Sequence, residues 1–386
     1  MHDLGANITL IVSVALIVLF SPFLAKTLRL PTTPIEIVLG SLLGYFGFIH
    51  DEEIFKVLSE FGFLYLMFIA GTEINLKKFL KTPPDILKKI LIYLSLLYLF
   101  SFLFSLWFHL GNIFMVLLPL ISVGLIATLS KEYGKTPWIE LSMTSGSIGE
   151  VVSIGILTLT SAALEHGFGL EFFTTIFSLL LFLTFMFLIF KAMNILFWWF
   201  PKLSYILMPK QDNQEQDIRL SMAIFFLLVA SMMYLKLELA FGAFLAGIFI
   251  PTFFEHKHDL ETKLASYGFG FLIPVFFIHI GYSFDLNAFK LPGLVTTSLI
   301  IAGVMIAMRL IASLVFIKKL GLKDSLLLGL SHSMPLTLLI AMSTLAYQAY
   351  SIDKLHYYAF ILAALFQVII VMTTIKLIER WHKQKQ

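Results

Sequence analysis

The sequence predicts an all-α polytopic membrane protein with about thirteen transmembrane helices. Three observations predict it. Of the 386 residues, 59% are hydrophobic and only 13% charged, too few charges for the surface of a soluble chain of this length. Apolar runs of about 20 residues, each long enough to cross a bilayer, recur from end to end. Basic residues alternate between successive connecting segments, as a multi-pass chain requires. The chain has no cysteine, which excludes a disulfide framework and thiolate metal sites. Its net charge of +3 matters less than where the charges fall.

Pro, Gly and charge clusters set the spans in order. The first, 8–25, follows no basic segment and is too long for the apolar part of a cleaved leader, so it reads as a span. Pro31 and Pro34 introduce 34–48; acidic residues precede 57–76; Pro83 and Pro84 open 86–108; Gly111 opens 112–130. Pro137 starts 138–163, and Gly169 starts 170–199. The second half holds 218–235, 238–254, 264–283, 293–317, 324–347 and 355–378. The spans 34–48 and 238–254 are short, which suggests tilt or close packing of small residues.

With the N-terminus outside, the cytoplasmic segments hold 21 of the 27 basic residues, among them Arg29, Lys81, Lys135, Lys210, Arg219, Lys257, Lys263, Lys318 and Lys385. The outer segments hold four, Lys56, Lys236, Lys290 and Lys354, while Lys191 and Arg309 stay within spans. A missed span would scramble this alternation. The expected location is the bacterial cytoplasmic (inner) membrane, with the C-terminus cytoplasmic.

The chain also repeats itself. Phe68-Ile-Ala-Gly71-Thr-Glu-Ile-Asn75-Leu76-Lys-Lys-Phe79 ends the third span, and Ile278-His-Ile-Gly281-Tyr-Ser-Phe-Asp285-Leu286-Asn-Ala-Phe289 ends the tenth. Glu36-Ile-Val-Leu-Gly40 in the second matches Glu238-Leu-Ala-Phe-Gly242 in the ninth. An offset of seven spans is odd, so the copies cross the membrane in opposite directions. Inverted repeats are a recurring transporter design, with the binding site near the midplane. The expected organisation is one transmembrane domain: repeat one over about 8–163, a linker helix over about 170–199, and repeat two over about 218–378.

In Ser145-Gly-Ser-Ile-Gly-Glu150-Val-Val-Ser153-Ile-Gly155 a carboxylate sits mid-span, where a charge costs about 3 kcal/mol on insertion scales. Helical spacing puts Gly146, Ser147 and Ser153 on the Glu150 face, small residues that admit a neighbour and offer oxygens. Arg309 is the one arginine within a span and needs an anion, so an Arg309–Glu150 pair is expected in the cation-free state. Two spans look breakable, at Ser122-Val123-Gly124 and at Ser331-His332-Ser333-Met334-Pro335-Leu-Thr337, because Pro335 removes a backbone donor and Gly124 leaves helical geometry readily. Facing half-helices would present free backbone groups to an ion. His332 and His279 are candidate proton carriers, since imidazole titrates near neutrality. His256 and His258 read as a solvated edge.

Together these motifs resemble the monovalent cation:proton antiporter-2 family, which includes Kef-type and Nap-type exchangers. The resemblance rests on Leu28-Arg-Leu-Pro31 with Glu36-Ile-Val-Leu-Gly40, on Phe63-Leu-Tyr-Leu-Met-Phe-Ile-Ala-Gly71-Thr-Glu, on Gly242-Ala-Phe-Leu-Ala-Gly247, and on Pro274 to Leu286. It implies two crossed discontinuous helices, the antiporter fold, in a mobile core beside a dimerising panel, hence a homodimer. It places Glu150 on the family's cation- and proton-binding aspartate, Arg309 on a basic residue that is usually lysine, and the helix breaks at Ser122–Gly124 and Ser331–Thr337. Three departures stand out: Gly149 where the family has Asn, Gln or an acid, Glu150 in place of Asp, and Val123 in place of Thr. The sequence ends at Gln386, and the nucleotide-binding domain of Kef-type systems is expected to be absent.

These readings converge on a monovalent cation (Na+ or K+)/proton antiporter, working by alternating access through one carboxylate at Glu150 with Ser122, Ser147, Ser153 and Thr337 as oxygen ligands. Desolvation penalises an ionised carboxylate and a nearby cation favours it, so a group between the two can exchange ligands near neutrality. The lack of a second acid suggests one-for-one, electroneutral exchange. A sodium-coupled organic-solute symporter of similar architecture and a passive cation channel are the alternatives. No nucleophile–base pair or metal-ligand set falls at one depth, which excludes an enzyme; no cofactor, resident metal or nucleic acid is expected.

Overall fold

The structure, a computed structural model, describes residues 2–28, 31–48, 52–74, 82–134, 136–167, 169–200, 202–203, 206, 215–237, 239–254 and 257–383. Arg29, Asn75–Phe79, Lys81, Lys135, Lys210, Glu238, His256 and Lys385 lie outside these residues.

The described residues form α1 (His2–Leu28), α2 (Thr32–Tyr45), α3 (Glu53–Thr72), α4 (Pro84–Trp107), α5 (Asn112–Leu117), α6 (Gly124–Tyr133), α7 (Pro137–His166) and α8 (Leu170–Trp199). The second half forms α9 (Gln216–Tyr234), α10 (Leu239–Phe253), α11 (His258–Tyr267), α12 (Ile273–Ser283), α13 (Leu294–Ser313), α14 (Ile317–Ser331), α15 (Leu336–Gln348) and α16 (Lys354–Lys383). Each expected span has a helix or a pair of half-helices. Among the described residues nine helices are long and apolar enough to cross a membrane, and Leu239–Phe253 and Leu336–Gln348 are shorter apolar helices. The tenth span is α11 and α12 joined by a π-helical turn at Gly268–Leu272. The wide turn has a cause in α3: Tyr65 wedges against Gly268, and its hydroxyl donates to the Leu264 carbonyl at 3.1 Å.

Packing divides the chain into two units. Unit one takes residues 1–80 and 161–286, and unit two takes 81–160 and 287–386. Each unit therefore draws on both halves of the sequence: the first three spans of each repeat enter unit one and the last three enter unit two.

Unit one is held by backbone approach as much as by side chains. Lipid is as apolar as leucine, so helices in a membrane gain by fitting closely, and glycine permits the closest fit. A Cβ at Gly40 of α2 would strike the Ile278 carbonyl of α12, and one at Gly281 would strike the Ile37 carbonyl. The α3–α10 pair is built alike, with Gly71 against the Phe244 carbonyl and Gly247 against that of Phe68. Leu10, Ile17, Phe55, Val275 and Ile278 fill the space between α1, α3 and α12.

This packing corrects the register of one sequence match. Gly71 and Gly281 occupy equivalent places, as their motifs suggest, and their partners Phe244 and Ile37 are then equivalent too. Gly40 consequently corresponds to Gly247 rather than to Gly242. Gly242 serves another neighbour, the Leu228 carbonyl and Met232 side chain of α9. A five-letter match read along one strand of sequence cannot show which glycine meets a facing backbone.

In unit two, α13 packs against α16, α4 and α14, and α15 packs against α16. The discontinuous pairs cross: α5 meets α15, and α6 meets α14. Within α14, Gly321 leaves helical geometry with φ +80, so the half-helix ahead of the second break effectively starts after it.

Candidate ion-binding site

The site grows from the first break. Helix α5 ends at Leu117 and α6 starts at Gly124, and although the Leu118 amide still donates to the Phe114 carbonyl at 3.1 Å, other backbone groups of the fully buried stretch Leu118–Val123 leave the helical ladder. In a lipid environment each must find another partner. The carbonyls of Leu118 and Leu120 accept from Arg309 Nη2, at 3.0 and 2.5 Å. The Ile121 amide donates to Ser153 Oγ at 3.1 Å. The Val123 amide donates to Glu150 Oε2 at 3.2 Å, and Ser122 Oγ donates to Glu150 Oε1 at 3.1 Å.

The second break contributes at one point. Pro335 ends the irregular segment, and Thr337, in the first turn of α15, places its Oγ1 3.2 Å from Ser122 Oγ. Glu150, Ser122 and Thr337 thus form a chain of oxygens, with Ser153 tied to the adjoining amide. Electrostatics favour this layout. A carboxylate stands at the amino end of α6, where the helix dipole is positive, and a guanidinium stands at the carboxyl end of α5, where it is negative. Both side chains are fully buried.

One expectation is corrected here. Arg309 spends its Nη donors on backbone, with Nη1 on Met305 of its own helix at 2.7 Å and Nη2 on the break, rather than on Glu150. The reason is local: the Leu118 and Leu120 carbonyls just beyond α5 are already an acceptor set at the reach of α13. Glu150 is not the only buried acid among the described residues: in unit one Glu36 is buried and accepts from Ser21 Oγ of α1 at 3.3 Å, and Asp217 is buried as well.

The remaining candidates divide. Ser147 Oγ turns to the Met143 carbonyl of its own helix at 2.8 Å, away from the Glu150 oxygens. A Cβ at Gly124 would meet nothing within 4 Å, so there is open space beside the Val123 amide. His332 lies at the second break, within unit two. His279 belongs to unit one, where its ring stands edge-on to Phe55 at 5.0 Å. The departure at Gly149 has a physical reason: a Cβ there would lie 2.7 Å from Ile121 Cδ1 and 3.1 Å from Ile121 Cβ, so Ile121 fills the volume that a larger residue would need. Sequence reasoning missed the Ile121 and Val123 amides, the Leu118 and Leu120 carbonyls, and Tyr93. The break itself was the only signal for the backbone groups.

Crossed half-helices around a buried carboxylate define a membrane transporter of the ion-exchanger type. The chain belongs to the sodium/hydrogen exchanger transmembrane family, whose family model matches residues 12–381; it is a family of transporters, not enzymes. Among relatives, the chain is 26% identical over 306 residues to a putative Na(+)/H(+) antiporter YjbQ of Bacillus subtilis, covering 72% of this chain but 48% of that protein. It is 26% identical over 275 residues to a probable Na(+)/H(+) antiporter 3 of Methanocaldococcus jannaschii, covering 69% of this chain and 68% of that one. The chain therefore spans about half the length of the first of these relatives. The solved structure of the sodium proton antiporter MjNhaP1 from Methanocaldococcus jannaschii shares the fold at a TM-score of 0.67, with 14% identity and 97% of both chains covered.

Proposed function

We propose that this chain exchanges a monovalent cation, sodium before potassium, for a proton through the single carboxylate of Glu150. The observation that carries the reading is the buried Glu150 held between the Ser122 hydroxyl and the Val123 amide at the helix break. A proton or a dehydrated cation can neutralise this carboxylate, but both cannot occupy it together. Ser122 Oγ and Thr337 Oγ1 supply further oxygens for a hard cation. Exchange follows if the unit carrying Glu150 changes its access only when that charge is neutralised, which is alternating access. With Gly149 in place of a second acid, one cation leaves for one proton and the cycle is electroneutral. The sodium named in its relatives favours that ion. The family resemblance supports a homodimer, and the distribution of basic residues favours an N-terminus outside a bacterial inner membrane.

The test uses everted vesicles holding an internal pH dye and an imposed proton gradient. Sodium, potassium or lithium is added to wild type and to Glu150→Gln. Cation-dependent collapse in wild type that Glu150→Gln abolishes establishes exchange and names the ion. An unchanged variant removes Glu150 from the mechanism. No response to any cation moves the reading to a sodium-coupled solute symporter, and collapse without saturation moves it to a channel.

A further inference from the structure

We propose that His332 is a positioning residue, a neutral imidazole that locks the second helix break onto the helix bearing Glu150, and that it does not carry the transported proton. It deepens the exchange reading and rests on it for the transport arm of its test only.

The ring lies where α14 stops. His332 caps that helix, its amide donating to the Leu328 carbonyl at 3.2 Å, and its side chain is fully buried. Three elements meet on it. Nε2 lies 3.0 Å from the Ser142 carbonyl and 3.4 Å from Ser145 Oγ, both on α7. Nδ1 lies 2.9 Å from the Tyr93 hydroxyl on α4. The charged group acting on it from α13 is the Arg309 guanidinium.

The tautomer follows from chemistry. A carbonyl oxygen only accepts, so Nε2 must carry the hydrogen that faces Ser142. Nδ1 then keeps its lone pair and accepts from the Tyr93 hydroxyl. Ser145 Oγ gives its own proton to the Leu141 carbonyl at 2.6 Å, which leaves its lone pairs towards Nε2. Every polar atom is thus matched with the ring neutral. A second proton on Nδ1 would face the Tyr93 hydroxyl head-on. That hydroxyl would have to turn its proton away, yet Tyr93 is fully buried with its ring against Phe316. A relay needs a site that accepts and releases a proton, and these contacts oppose both steps.

The same contacts explain what the ring is for. Ser142, Gly146 and Glu150 follow one another at helical spacing on one face of α7. A Cβ at Gly146 would lie 3.4 Å from Nε2, so the ring rests on α7 one turn before Glu150. Ser331 Oγ adds a second contact, lying 3.1 Å from Ser142 Oγ and 2.8 Å from the Leu328 carbonyl, between which its one proton is shared. Together these fix the height of Glu150 relative to the break that presents Thr337.

The first arm of the test reads the ring itself. Histidine-selective ¹⁵N NMR on proteoliposomes, assigned by the signal that His332→Gln removes, is recorded across the neutral range. Wild type and Glu150→Gln should both show a neutral imidazole with the hydrogen on Nε2 throughout. A doubly protonated ring, or the hydrogen on Nδ1, overturns the proposal. This arm needs no transport and stands if the exchange reading fails. The second arm measures cation-dependent exchange against pH. His332→Gln keeps a donor for the Ser142 carbonyl but offers Tyr93 a flexible amide oxygen in place of the fixed Nδ1 lone pair, so it should slow exchange about three- to tenfold with the half-maximal pH in place. His332→Ala should lose more, and Tyr93→Phe should behave like His332→Gln. A half-maximal pH that moves by about one unit in His332→Gln, or loss as complete as in Glu150→Gln, sinks the idea.

Discussion

Glu150 and Arg309 serve opposite ends of one break: the carboxylate accepts from the Val123 amide ahead of α6, and the guanidinium donates to the Leu118 and Leu120 carbonyls behind α5. Each answers a half-helix dipole of opposite sign. The arrangement has a functional corollary. A cation or proton arriving at Glu150 need not first displace Arg309, because Arg309 is committed to backbone. On the exchange mechanism we propose, the charge that must be neutralised for each cycle is then that of Glu150 alone.

Arg309 variants test that division of labour. Arg309→Met leaves two buried carbonyls without donors, and a hydrogen bond to a charged group contributes about 1.5–3 kcal/mol. We expect a loss of about 3 kcal/mol or more, read as a drop in melting temperature in detergent, together with lost exchange. Arg309→Lys keeps the charge but offers a point donor in place of a planar fork, so it should fall between the two. A fully stable, active Arg309→Met would show that the break is held by something else.

The Gly149–Ile121 packing makes a second prediction. Gly149→Ala places a methyl against Ile121, and overpacking of this kind costs about 1–3 kcal/mol. Adding Ile121→Val removes the nearest atom, Ile121 Cδ1, and should recover part of the loss. A thermal-melt cycle over the two single variants and the double variant measures the coupling. Additive effects would mean that the two residues do not share the volume.

How much of this was legible beforehand depends on the physics involved. Span positions were, because crossing a bilayer demands apolar length, and the short spans of α2 and α10 were read as tilted or closely packed, of which the glycine contacts show the close packing. Glu150 was legible for the same reason, as an expensive charge in such a run. Both breaks announced themselves through Gly124 and Pro335. What a break exposes was not: the Val123 amide and Leu120 carbonyl have no side-chain signature. Arg309 was therefore paired with the one acid in view, when its acceptors were main chain. The Gly40–Gly247 correspondence was equally hidden, since it depends on which backbone faces which.

Glycine positions separate close approach from mere permissiveness. Gly71 abuts the Phe244 carbonyl and Gly247 of α10, rigid main chain that cannot yield to a methyl. Gly71→Ala should push α3 from α10 and prevent recovery of a monodisperse protein in size-exclusion chromatography. Gly303 of α13 has open space at its Cβ, and alanine there should be neutral or raise stability by up to about 1 kcal/mol through better helix propensity. Equal behaviour of the two variants would contradict the packing of unit one.

The loop before α16 carries a pH-dependent prediction. Asp353 precedes the first residue of the helix, and its Oδ1 accepts from the His356 amide and lies 2.8 Å from His356 Nδ1. Partial burial pushes the Asp353 carboxyl up, but the hydrogen bonds from His356 outweigh it and hold the group below the ordinary aspartate value. A carboxyl depressed in the folded state adds stability above its unfolded value and loses it as pH falls through the lower folded one. Asp353→Ala should therefore cost about 1 kcal/mol at neutral pH, the usual worth of a helix N-cap. Asp353→Asn keeps a capping oxygen without the charge, so its deficit against wild type should be small at neutral pH and shrink to nothing in acid. Melting temperatures of the three proteins across an acid-to-neutral series decide it. A deficit of Asp353→Asn that persists undiminished at pH values below the aspartate range would remove the carboxylate from the cap.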